Sequence, residues 1–115
     1  TNWQVVGGVK ADYNAKESLK ATAGKGIIAN LPKDPKQAKD LYTTLEHGDA
    51  DIEFEFMMAK ESNSGIYLQG RYEVQLLDSW AKVNPTSGDL GGIYERADPK
   101  TEKGFEGYAP RIPFY

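Results

Sequence analysis

Cysteine is absent from this 115-residue chain, and histidine occurs once, at His47. The first absence excludes disulfides, zinc–cysteine centres and thiol catalysis, while leaving the compartment open. The second excludes metal centres built on several histidines. No apolar run approaches the ~20 residues of a membrane span, and the first residues carry no signal-peptide pattern, so that Thr1-Asn-Trp is compatible with a removed leader or anchor. Basic charge is not in excess either. With 14 Lys+Arg against 17 Asp+Glu the net charge is −3, and no basic field favours nucleic acid or an anionic membrane. Gly24-Lys-Gly26 is too short for a phosphate loop and lacks the following Ser/Thr, and no Gly-x-Ser-x-Gly elbow occurs. Repeats, heptads and low-complexity tracts are missing as well.

What is present suits one domain over residues 1–115 with one core. Its 12 Gly and 6 Pro punctuate short segments rather than long helices. Gln4 to Val9 predicts a strand, Ser18 to Ala21 a weaker one, and Gly26-Ile-Ile-Ala-Asn30 a short buried one. Leu31 to Asp40 is charged and broken by Pro32 and Pro35, which predicts a surface loop with at most one helical turn. Leu41-Tyr-Thr-Thr44 reads as extended, His47-Gly-Asp49 as a turn, and Lys60 to Gly65 as another. After Asp78, Asn84 to Gly92 and Ala97 to Gly104 read as long loops around a short Ile93-Tyr94 segment.

The most informative stretch runs from Ser62 to Asp78. Between Gly65 and Leu77, Ile66, Leu68, Tyr72, Val74 and Leu76 take even positions, whereas Tyr67, Gln69, Arg71, Glu73 and Gln75 take odd ones. Side chains on a strand alternate between faces, so this predicts one apolar face and one that carries an acid, a base and two amides. Such a row suits a polyhydroxylated ligand; a solvated outer face is the plain alternative. A second strand is predicted over Ala50 to Ala59. Ile52, Phe54 and Phe56 share one face of it, and Asp51, Glu53 and Glu55 the other. Those carboxylates, about 6.6 Å apart at i and i+2, need offsetting donors, and Arg71 is the natural one if the two strands pair. Asp49, Asp51 and Glu53 do not have the spacing of a loop-type calcium cage. His47, between Glu46 and Gly48, suits an exposed turn. Amphipathic strands, long loops and little helix together predict an antiparallel β-sandwich.

Three segments, taken in order, resemble the 3-keto-disaccharide hydrolase domain family. They are Gly48-Asp-Ala-Asp-Ile-Glu-Phe-Glu-Phe56, Ser62-Asn-Ser-Gly-Ile-Tyr-Leu-Gln-Gly-Arg-Tyr-Glu-Val-Gln-Leu-Leu-Asp-Ser79 and Gly91-Gly-Ile-Tyr-Glu-Arg96. The resemblance extends from about Trp3 to Arg111. It implies a jelly roll of the concanavalin A-like lectin/glucanase type, a bacterial protein of the periplasm or cell surface or a secreted one, and a glycoside as partner. The family continues through further strands after the region around Gly107-Tyr-Ala-Pro-Arg111. This chain therefore reads as an incomplete sandwich, expected to be completed by more polypeptide or by another chain. His47 stands where relatives tend to carry an aromatic residue.

The resemblance also implies action on glycosides oxidised to a ketone at C3. A C3 carbonyl acidifies the C2 hydrogen; its removal gives an enolate that expels the C1 glycosidic oxygen, and water then adds. Such a site needs a base, a donor or cation for the enolate oxygen and an acid for the leaving group. Glu55 and Glu73 are the acid/base candidates and Arg71 the electrostatic stabiliser. Gln69 and Gln75 are hydroxyl clamps, with Tyr67, Tyr94 and Arg96 as further sugar contacts. No cofactor or metal ligand set is assigned. Two other functions stay open. One is a retaining glucanase, for which Asp51-x-Glu53-x-Glu55 resembles the paired-carboxylate signature but begins with a shorter arm and lacks a flanking Trp. The other is a non-catalytic carbohydrate-binding module. For the residues themselves, Glu73 with Arg71 as a surface ion pair, Glu55 as a solvated side chain and the tyrosines as sheet cover are the plain readings. Asp78 is expected at a strand end, bound to backbone, and Asn63-Ser-Gly65 in a turn.

Overall fold

The computed structural model of the protein describes residues 1–94. Four strands form two antiparallel pairs: β1 (Trp3–Ala11) with β2 (Leu19–Asn30), and β3 (Asn63–Leu68) with β4 (Tyr72–Leu77). The only helical piece among the described residues is a 3-10 turn at Pro35–Gln37, so the class is all-β and antiparallel, as part of a sandwich supplies. Among the described residues Val6, Ala29, Ala59 and Leu76 are the buried apolar side chains.

The first hairpin is longer than the sequence suggests. Trp3 faces Asn30 and Val6 faces Ile27, but beyond them Gly8 faces Thr22, so Ala23-Gly24-Lys25-Gly26 opposes the single residue Gly7. The bulge is built on glycine. A Cβ on Gly7 would strike the Ala23 and Gly24 backbone, one on Gly24 would strike Gly7, and Gly24 and Gly26 hold φ of 148° and 110°. The two predicted segments Ser18–Ala21 and Gly26–Asn30 are therefore one strand running through the irregularity. It is mostly exposed rather than buried, with Ala29 as its buried residue.

Beyond β2 the chain is tied back to the start of β1. The Asn2 amide nitrogen donates to Asn30 Oδ1 at 2.7 Å and to Lys39 O at 3.0 Å, while its oxygen accepts from Lys39 N at 3.0 Å. Trp3 Nε1 adds a bond to Lys39 O at 2.7 Å. Between these ends Asp34 caps the 3-10 turn by accepting from Lys36 N and Gln37 Nε2, each at 3.0 Å. This is the single turn expected of that loop.

From Ala38 to Lys60 the structure departs from expectation. Neither Leu41–Thr44 nor Ala50–Ala59 forms a strand, and residues 40–57 are exposed throughout. Phe54 and Phe56 pack against each other as a tilted pair, with centroids 5.7 Å apart, in place of lying under a neighbouring sheet. An alternating pattern makes a strand only when another strand meets its backbone groups. Among the described residues no backbone hydrogen bond joins 51–57 to another segment.

The stretch expected as one strand over Gly65–Leu77 is a tight hairpin. Gln69 and Gly70 hold φ of 53° and 62°, and Arg71 N donates to Leu68 O at 3.0 Å, which is the conformation of a primed turn matched to strand twist. Asn63 and Ser64 open β3 in place of making a turn. The hairpins meet where Glu17 N donates to Lys60 O at 2.8 Å, beside the Lys16–Glu61 ion pair and Lys60 above the Tyr13 ring.

Candidate functional site

β4 is flanked on both edges. On one side Tyr67 faces Glu73 and Gly65 faces Gln75. On the other, Val74 bridges to Ile93; Tyr94 N donates to Glu73 O, Gln75 N to Gly92 O and Gly91 N to Gln75 O, each at 2.8 Å. Residues directly opposite in an antiparallel ladder share a face. One face therefore carries the row Tyr67–Glu73–Tyr94, with the row Gly65–Gln75–Gly92 beside it. Ile66, Val74 and Ile93 lie on the reverse.

The two glycines of the second row make space. A Cβ on Gly65 would collide with the Glu73 carboxylate, which lies over that strand position; one on Gly92 would collide with the Ser87 backbone. Glu73 is half-buried, and Tyr67, 59% exposed, stands at the open side of it. The Tyr67 phenol titrates above its ordinary range. Hydrogen bonding to Glu73 is the main cause, burial the next, and the charges of Glu73 and Asp40 act in the same direction. Asp40 follows Lys39, so the Asn2 clamp carries its charge to this face.

The remaining wall is the loop from Asp78 to Gly92. Asp78 accepts from Glu61 N at 2.8 Å and from Trp80 N at 3.3 Å, so it binds backbone at the strand end, as expected. Asp89 is the residue that the sequence does not single out. It is 2% exposed, and its Oδ2 accepts from Lys82 Nζ at 2.6 Å, Thr86 N at 2.6 Å and Thr86 Oγ1 at 3.0 Å. The Lys82 bond is the first cause of a carboxyl pKa lowered to about 2, with the Thr86 bonds adding to it against the cost of burial. Ser79 Oγ lies 3.4 Å from Asp89 Oδ1 and accepts from Leu90 N at 3.1 Å. The only hint in the sequence is the three-residue spacing of Thr86 and Asp89, typical of side chains that cap local backbone.

Of the predicted site residues, Tyr67, Glu73 and Tyr94 come together. Gln75 shares their face but is buried, and its Nε2 donates to Gly88 O at 3.2 Å. Gln69 and Arg71 sit at the hairpin tip, exposed. The ion pairs among the described residues are Lys16–Glu61 and Lys82–Asp89, so Arg71 neutralises neither Glu73 nor the carboxylates of 51–55. Glu55 lies in the exposed irregular segment, and Arg96 falls outside the described residues. His47 is exposed, its Nδ1 2.8 Å from Gly48 O. Among the described residues no group of three His, Asp or Glu side chains gathers closely enough to hold a metal ion.

A family described as the 3-keto-alpha-glucoside-1,2-lyase-like domain matches residues 1–108. The chain belongs to this family. Membership marks it as a carbohydrate-active domain, which agrees with the face just described. No curated protein and no solved structure matches it.

Proposed function

We propose that the protein cleaves 3-keto-glycosides by proton abstraction at C2 and elimination of the C1 substituent, with Glu73 as the base. The observation that carries this reading is the row Tyr67–Glu73–Tyr94, a carboxylate flanked by two tyrosines on one face of a hairpin. The family's description as 1,2-lyase-like supports it.

Glu73 takes the C2 proton, and the electron pair moves onto the C3 oxygen as an enolate. Collapse of the enolate forms C1=C2 and breaks the C1–O bond; water gives the leaving oxygen its proton. The Glu73 carboxyl proton exchanges with solvent while the enone stands; the hydroxide then adds at C1 and Glu73 protonates C2, so that the sum is hydrolysis with a solvent-derived hydrogen at C2 and the carboxylate restored. Tyr67 stays a neutral phenol at physiological pH, because hydrogen bonding to Glu73 and burial both raise its pKa. A neutral phenol is a donor for the enolate oxygen. Tyr94 offers a flat surface for a sugar ring on the other side. Gln69 and Arg71, at the hairpin tip, are assigned to the outer part of the ligand.

The retaining-glucanase alternative loses support because Asp51, Glu53 and Glu55 lie on an exposed segment rather than on a paired strand. Incubation with a 3-keto-disaccharide beside its unoxidised parent tests the proposal. Cleavage of the keto sugar alone supports it; cleavage of the parent points to an ordinary glycosidase, and binding without cleavage to a non-catalytic module.

A further inference from the structure

Tyr94 is not carried on a full strand of the described fold. Its place beside Glu73 depends on Gly91–Tyr94 lying along the edge of β4, where Ile93 forms an isolated bridge to Val74. That bridge and three backbone hydrogen bonds, from Gln75 N, Gly91 N and Tyr94 N, make a short ladder, and short ladders are marginal in water. The chain that delivers it, Pro85 to Gly92, is irregular. What fixes that chain is the Asp89 side chain. Its two oxygens meet Lys82, Thr86 and Ser79, and its own backbone turns the loop, with Asp89 N donating to Thr86 O and Gly92 N to Asp89 O, each at 3.0 Å. The same loop closes over the second row. Ser87 packs on Gly92, where a Cβ would not fit, Gly88 O accepts from Gln75 Nε2, and a Cβ added to Gly88 would come into ordinary contact with the Tyr94 ring.

We propose that Asp89 is a positioning residue for the site: by tying Ser79, Lys82 and Thr86 together it holds Gly91–Tyr94 against β4 and so sets Tyr94 beside Glu73. Asp89 itself touches no ligand, being enclosed by its own loop. Lys82 is half exposed and reaches inward to it, which makes the tie a charged hydrogen bond between a buried acceptor and a solvated donor. A side chain that fixes another in a productive place acts on turnover through geometry, and small misplacements are costly there. The kinetic part of this inference rests on the proposed reaction; the structural part does not.

The test uses Asp89→Asn and Lys82→Met in the full chain, the second of which keeps the bonds of Asp89 to Thr86 and Ser79. Amide hydrogen exchange reads the placement. The amides of Gln75, Gly91, Gly92 and Tyr94 should exchange at least tenfold faster in Asp89→Asn, and less markedly so in Lys82→Met, while the β3–β4 ladder keeps its protection. With a 3-keto-disaccharide, kcat/KM should fall at least tenfold in Asp89→Asn. The double variant with Tyr94→Ala should be no worse than Tyr94→Ala alone, because both changes remove the same contribution. Unchanged protection at those four amides would overturn the proposal. So would protection lost equally in β1–β2, or kinetic losses that multiply in the double variant. If the unmodified protein leaves the keto sugar intact, the proposed reaction fails, and the exchange pattern still decides whether Asp89 places the loop.

Discussion

Glu73 stands directly opposite Tyr67 across the β3–β4 ladder, and its carboxylate is the main influence that holds the phenol above its ordinary titration range. The pairing makes a direct prediction. Replacing Glu73 with Gln removes the charge that disfavours the phenolate, so the Tyr67 pKa should fall toward 10.0, the ordinary value. Difference absorbance titration of the protein against Tyr67→Phe isolates that group. A Tyr67 titration that does not move in Glu73→Gln would show that the two side chains do not interact.

Gly65 gives a way to disturb the site without disturbing the fold. A Cβ there meets only the far end of the Glu73 side chain, which can rotate away, whereas a Cβ on Gly92 meets the Ser87 backbone. Gly65→Ala should leave stability within about 1 kcal/mol of the original, while Gly92→Ala should cost about 1–3 kcal/mol as overpacking against backbone does. In Gly65→Ala the carboxylate must leave its place, so turnover of a keto sugar should fall by at least about tenfold. Thermal melts beside initial rates separate the two effects.

Asp89 predicts an acid-labile loop. Its pKa is lowered from 3.8 to about 2, so the fold favours the charged carboxylate. The stability it contributes is full above pH 3.8 and is lost as the pH falls through about 2. Asp89→Asn should cost about 2 kcal/mol at neutral pH, the order expected when a charged acceptor is lost from buried partners. That difference should shrink as melts are run down to and below about pH 2, since Asp89 then loses the charge that Asn lacks. A gap that stays constant with pH would mean that charge is not what the loop depends on.

Much of this was legible in the alternating stretch, and its limits have a physical cause. In the β3–β4 hairpin Ile66 pairs with Val74 and Tyr67 with Glu73, so residues of equal parity share a face on both sides of the turn. A single strand over Gly65–Leu77 would sort the same residues in the same way. Alternation therefore assigned Glu73 and Tyr67 to one face but could not reveal the turn; the clue was Gln69-Gly70, a polar residue before glycine between apolar runs. At Ala50–Ala59 the alternation is as regular, yet among the described residues no other segment meets the backbone of 51–57, because a local pattern cannot supply a partner. In the sequence β2 reads as two pieces because Gly24 and Gly26 interrupt it, and only the contact with Gly7 shows that they form a bulge. Asp89 stayed hidden because its partners, Ser79, Lys82 and Thr86, are brought to it by an irregular chain with no period.

Asn2 offers a separate check on the packing of the excursion that carries Asp40. Its amide makes three bonds, to Asn30 and to both backbone groups of Lys39. Asn2→Ala should cost about 1–2 kcal/mol, because the partners lose bonds within a partly buried site. Limited trypsin digestion should then nick the chain after Lys33, Lys36 or Lys39 several times faster than in the original protein. Equal rates would place the anchor elsewhere, with Trp3 Nε1 as the remaining bond to Lys39.

Solvent isotope incorporation decides whether Glu73 removes a proton from C2 of a 3-keto sugar. The protein is incubated in deuterium oxide with a 3-keto-disaccharide, and the released keto sugar is analysed by NMR. Cleavage is expected with deuterium at C2 in the product, with none of the unoxidised parent cleaved and a rate lower by about 10²–10⁴ in Glu73→Gln. Cleavage with the original hydrogen retained at C2, or an unchanged rate in Glu73→Gln, would contradict proton removal by Glu73.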